Sequence, residues 1–127
     1  MAFPTMIDSS TGAQAVVVMP GLFDFTIYVD RTKYKIDEIE DAAEIDAEAY
    51  RSAGRAAVGA VVGGLLTGGL GFLAGAALGG RRRVSASYFL KFRDGNYVAF
   101  TTTNKKDIQL LAPVVRKYDV RRMAAGG

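Results

Sequence analysis

"VSASYFLKFRDGNYVAFTTT", residues 84–103, consists of two alternating runs joined by an Asp-Gly step. Tyr88, Leu90 and Phe92 fall on one side of the first run, and Val98 and Phe100 on the matching side of the second. Asp94-Gly95 tolerates the positive φ angles of a tight turn, so the stretch predicts a β-hairpin. Downstream, "TNKKDIQLLAPVVRKYDVRR" (103–122) predicts a helix capped by Thr103 or Asn104. Its apolar stripe is Ile108, Leu111, Val115 and Tyr118. Pro113 is expected to kink or interrupt it, and residues 119–127 are expected to form a flexible tail.

Upstream, "AQAVVVMP" (13–20) is a short Val-rich run ended by proline. "GLFDFTIYVD" (21–30) alternates, with Phe23, Phe25, Ile27 and Val29 on one side, as a half-buried strand does. A polar turn at 30–32 leads to Tyr34 and Ile36 on one face, which completes a hairpin. Residues 37–46 fit either a helix or a strand, and a helix is expected from about Ala47, because Ala and Glu favour it. The expected layout is one domain over 1–127. Within it, 14–50 holds strands and an acidic segment, 51–83 an insertion, and 84–118 the hairpin with its capping helix.

With 127 residues, half of them hydrophobic, the chain has room for one ordinary core. It has no cysteine and no histidine, so thiolate metal sites, disulfides and His-dependent triads are excluded. A non-enzymatic role, without cofactor, metal or small-molecule substrate, is the expectation. The start "MAFPTMIDSS" lacks a basic segment and an apolar run, so a cytoplasmic chain is expected. The net charge of +3 conceals a split. Residues 1–55 hold ten acids and five bases, residues 81–127 three acids and eleven bases. That asymmetry suits either an anionic partner or mutual neutralisation of the two halves.

Residues 56–80 carry no charge, and fifteen of the twenty-five are Gly or Ala. Gly59 and Gly63, Gly64 and Gly68, and Gly71, Gly75 and Gly79 recur four apart, the spacing of a glycine zipper. Leu65, Leu66, Leu70, Phe72 and Leu73 supply bulk between them. As one helix the tract reaches roughly 37 Å at about 1.5 Å per residue, enough for a bilayer core of about 30 Å. As two helices bent at Thr67-Gly68-Gly69, each about 18 Å long, it returns to the side it left. Arg51, Arg55, Arg81, Arg82 and Arg83 then rim its mouth, where anionic lipid would meet them. The third reading is a hairpin packed inside a protein core or oligomer. The helical hairpin is the leading expectation.

"GLGFLA" (69–74) matches a dinucleotide fingerprint, but no strand leads into it. The acidic run Asp37, Glu38, Glu40, Asp41, Glu44, Asp46 and Glu48 lacks a calcium-loop pattern and reads as a solvated face. Nucleic acid is a weaker expectation: Arg81–Arg83, Lys91, Arg93, Lys105 and Lys106 would meet phosphates. Tyr88, Phe89, Phe92, Tyr97 and Phe100 would supply stacking.

The strands, the Gly-rich tract and then "YFLKFRDGNYVAFTTTNKKDIQLL", with Phe92-Arg93-Asp94-Gly95 feeding a closing helix, resemble small bacterial pleckstrin-homology-like proteins. The resemblance covers about residues 23–118. It implies an α+β fold, a small antiparallel sheet or open barrel capped by a C-terminal helix, here interrupted by the Gly-rich apolar helical hairpin. It would make 37–46 a strand, and it brings no catalytic residues. The functional expectation is a membrane-associated binding or assembly protein that self-associates through its glycine edges. A structural subunit of a viral or phage particle is the alternative, with a small nucleic-acid-binding module after it.

Overall fold

The computed structural model describes residues 4–22, 24–54, 58, 59 and 85–126. The chain is α+β. β1 (Thr5–Ser9), β2 (Val16–Pro20), β3 (Phe25–Val29) and β4 (Thr32–Lys35) lead through a 3-10 turn (Ile36–Glu38) into β5 (Ile39–Ile45). Helix α1 (Ala47–Ala53) follows, and after the Gly-rich tract come β6 (Ala86–Phe92), β7 (Tyr97–Thr102) and helix α2 (Lys105–Gly126).

The strands do not close into a barrel. They form two antiparallel sheets, one ordered β1-β7-β6-β5 and the other β2-β3-β4. The 3-10 turn breaks the path from β4 to β5, so no ladder joins them. The helical hairpin expected at 51–83 falls outside the described residues, apart from α1, Gly54, Val58 and Gly59.

The 84–103 stretch forms the expected hairpin. Leu90 lies opposite Val98 and Tyr88 opposite Phe100, and Gly95 takes φ +92°, the left-handed region that favours glycine. Tyr88, Leu90, Phe92, Val98 and Phe100 enter one core with Val16, Val18, Phe25, Ile27 and Tyr34 of the smaller sheet. Tyr34 stacks flat on Phe92, ring centroids 3.7 Å apart. Its hydroxyl donates to Asp94 Oδ2 at 2.7 Å, which ties the smaller sheet to the β6–β7 turn. The backbone N–H of Asn96, and then the Tyr34 bond, hold the Asp94 carboxyl below the usual range.

β5 resolves the ambiguous segment. Its ladder with β6 steps from Ile39↔Phe92 to Asp41↔Lys91, which leaves Glu40 as a bulge. The extra residue switches the alternation. Ile39 and Ala42 face the main core, while Ala43 and Ile45 join Phe89 and Ala99 on the opposite face of the sheet.

Helix α2 closes the main core with Ile108, Leu111 and Val115. Asn104 is its cap, accepting the Lys106 N–H at 2.9 Å. Contrary to expectation, α2 continues through Pro113 and past Tyr118 to Gly126. Pro113 and Gln109 are both exposed, so the carbonyl that proline leaves without a helical donor can bond water. Asp107 in its first turn is buried, 4% exposed, and burial raises its pKa. Thr102 anchors it: the hydroxyl accepts the Asn104 N–H at 3.1 Å and donates to Asp107 Oδ2 at 2.8 Å.

Thr102→Val should therefore lower unfolding free energy by about 1–3 kcal/mol at pH 7. The deleted hydroxyl favoured the charged form of Asp107. Denaturant titration should accordingly show a smaller deficit near pH 3, where the carboxyl is protonated. An equal deficit at both pH values would refute this role.

Candidate functional site

Ile45, the last residue of β5, pairs with Ser87 at the start of β6. The chain therefore leaves for the Gly-rich tract and returns from it at one end of one sheet. A single membrane crossing between these neighbours would put them on opposite sides of a bilayer, and hydrogen-bonded strands cannot be so divided. The one-span reading of 56–80 is thus incompatible with the β5–β6 ladder.

Helix α1 builds the exit. Asp46 caps it, accepting the Ala49 N–H at 2.9 Å, and Gly54 ends it with φ +59°. Tyr50, 2% exposed, is its buried anchor and meets the Phe89 ring at 6.2 Å between centroids. Phe89 in turn lies 5.7 Å from the Tyr97 ring. The Tyr50 hydroxyl donates to Asp8 Oδ2 at 2.8 Å. Burial and then the Asp8 bond push the Tyr50 phenol well above its ordinary value of 10.0. Tyr97 is raised for the same two kinds of cause, burial and then the Asp8 charge.

Beside this trio is an open cavity of about 460 Å³. Ile7, Asp8 and Tyr97 form one wall, and Tyr50, Arg51, Gly54 and Val58 the other. Asp8 is held by Tyr50, and the apolar residues outnumber the charged ones. The arrangement suits packing of an apolar segment, and its one phenol–carboxylate pair, Tyr50 on Asp8, ties α1 to β1. Among the described residues no three His, Cys, Asp or Glu side chains converge as a metal site would require. No described helix is long and apolar enough to cross a membrane.

Of the expected site residues, Arg51 is exposed on α1 at the tract's exit. Gly59 has open space around it: a Cβ there would meet nothing within 4 Å. Among the described residues it makes no close backbone contact of the zipper kind. Gly63, Gly64, Gly68, Gly71, Gly75, Gly79, Leu65, Leu66, Leu70, Phe72, Leu73, Arg55, Arg81, Arg82 and Arg83 lie outside the described residues. Val58, at the start of the tract, packs against the Ala43–Phe89–Ala99 face.

Of the five rings expected to stack on bases, Tyr97 alone is partly exposed. Tyr88, Phe89, Phe92 and Phe100 are buried, because the sheet is covered on both faces. Lys105 and Lys106 are exposed at the start of α2. Since Thr102 pairs with Ala86, they sit at the tract's end of the sheet. Sequence reasoning missed Asp8 and Tyr50, forty-two residues apart and joined only by the fold.

Comparison with protein-family models, curated proteins and solved structures finds no match for this chain.

Three tyrosines, Tyr34, Tyr50 and Tyr97, have folded pKa values above 10.0. The unfolded chain releases these protons first, so stability is complete below pH 10 and falls as pH rises beyond it. The limiting slope is about 1.4 kcal/mol per pH unit for each group. Tyr50→Phe should cost about 1 kcal/mol at pH 7 and make the alkaline fall shallower. Urea midpoints from pH 8 to 11 test this, and identical slopes would contradict it.

Proposed function

We propose that this chain is a non-enzymatic, membrane-associated assembly protein. In this reading a two-sheet platform of pleckstrin-homology-like type holds a glycine-zipper helical hairpin at one end. The hairpin enters the bilayer and returns, and its glycine edges meet those of other copies. Arg51, Arg55 and Arg81–Arg83, with Lys105 and Lys106 beside them, face anionic headgroups from the cytoplasmic side.

One observation carries the reading. The Ile45↔Ser87 pairing brings both ends of the uncharged tract to the same end of the sheet. An apolar excursion that begins and ends together is what a re-entrant hairpin requires. Among the described residues nothing lies within 4 Å of a Cβ placed on Gly59, which is compatible with a second helix approaching there.

A second reading, a subunit of a larger viral or phage particle, draws on a different contact. Val58 packs on the outer face of the protein's own sheet, so the tract starts as protein core. A nucleic-acid module loses ground, because its proposed stacking rings are buried.

Membrane pellets washed with high salt and then with detergent separate the two. Release by detergent alone is expected. A discrete, large, salt-soluble species without lipid would instead support the particle subunit. Replacing Gly71, Gly75 and Gly79 with Leu should reduce oligomer size and leave the sheet's circular dichroism unchanged. Unaltered oligomers would sink the zipper.

A further inference from the structure

At the end of the sheet opposite the tract, a second recess lies between β5, the β6–β7 turn and α2. It is an open cavity of about 290 Å³ lined by Ile39, Glu40, Arg93, Tyr118 and Arg121. Its walls are fixed by three contacts. The Tyr118 hydroxyl donates to the Ile39 carbonyl at 2.6 Å. The Arg93 N–H donates to the Glu38 carbonyl at 2.8 Å. The Arg121 guanidinium sits over the Tyr118 ring, 5.2 Å from its centroid, which restrains an otherwise floppy side chain.

The charge of the recess is specific. Arg93 and Arg121 contribute two guanidinium groups. The one lining acid, Glu40, has Lys91 Nζ at 3.7 Å as its counter-ion. Asp94, next to Arg93, directs its carboxylate to Tyr34 and Asn96 instead. Lys117, one turn before Arg121 on α2, is exposed and adds to the positive potential. With Glu40 offset by Lys91, the two guanidinium forks of the lining match a phosphate dianion better than a single carboxylate.

We propose that the Arg93–Arg121 recess binds the phosphate dianion of a phosphate monoester. Arg121 clamps it from the helix and Arg93 from the turn, with the Tyr118 ring and Ile39 forming the floor under whatever the phosphate carries. The two ends of the sheet are separated by the length of β5, about 20 Å at roughly 3.3 Å per residue. A bilayer at the tract's end therefore does not supply the anion, which favours a dissolved phosphate monoester over a headgroup of the same membrane. The site rests only on the ordered sheet and α2, and it stands whether or not the tract enters lipid.

The test is a titration of the full-length chain in neutral detergent with inorganic phosphate, followed by the Arg Nε–H resonances. Saturable shifts confined to Arg93 and Arg121 are expected. Affinity should be about tenfold or more weaker in Arg93→Gln and in Arg121→Gln, the loss of one charge-assisted contact. Both side chains are exposed, so melting temperatures should stay at the wild-type value, and Lys105→Gln should bind normally. A parallel arm uses phosphatidylcholine vesicles with and without phosphatidic acid. A response to phosphatidic acid alone, lost in the same two variants, would keep the phosphate chemistry and assign it to a lipid. No response in either arm, or shifts spread equally over all the cations and unchanged in the variants, would overturn the proposal.

Discussion

The hydrogen-bond ladder between β5 and β6 is the constraint on which the rest of the molecule depends. It joins residues on either side of a long uncharged tract, and its register, Ile45 to Ser87, fixes where that tract begins and ends. The ladder is held from both faces. Ile39, Ala42, Leu90 and Phe92 pack toward the smaller sheet and α2, while Ala43, Ile45 and Phe89 pack toward α1. Sliding the pair by one residue would exchange these two sets and turn Lys91 toward the core, so the register is strongly specified.

A sheet buried on both faces gives the molecule two different ends. One end is closed by α1 and its Tyr50–Asp8 bond, and there the tract leaves and returns with Arg51 beside it. The other carries the β6–β7 turn, held by Tyr34 and Asp94, and Arg121 of α2. The charge split of the sequence thus has a spatial form. The acidic residues near α1 and the 3-10 turn are distributed along β5, whereas α2 between Lys105 and Arg121 exposes Lys105, Lys106, Arg116, Lys117 and Arg121, with Asp107 buried and Asp119 half-buried.

Much of this was legible in the residues. The Asp94-Gly95 turn, the alternation around it and the 108–118 stripe specify the hairpin and its helix through local geometry alone. The segment 37–46 was not, because the bulge at Glu40 gives Ile39, Ala42 and Ala43 a spacing that a helix would also show. β1 escaped notice for a similar reason. "TMIDS" is short and polar, and a second irregularity turns Asp8 toward α1 beside Ile7, which leaves Met6 alone on the main core. Pro113 misled because its effect depends on whether the orphaned carbonyl reaches water, which only the packing of α2 decides. The Tyr50–Asp8 and Arg93–Arg121 groupings are long-range and carry no local sequence signal.

The measurement that bears most directly on the account is a side-of-membrane test at the two ends of the tract. The chain has no cysteine of its own, so Ser52→Cys and Ser85→Cys each introduce a single thiol at an exposed position. In sealed, oriented vesicles, a membrane-impermeant maleimide should label both variants from the same side and leave both protected from the other. Labelling from opposite sides would mean that the tract crosses once, and would contradict the β5–β6 ladder together with everything built on it.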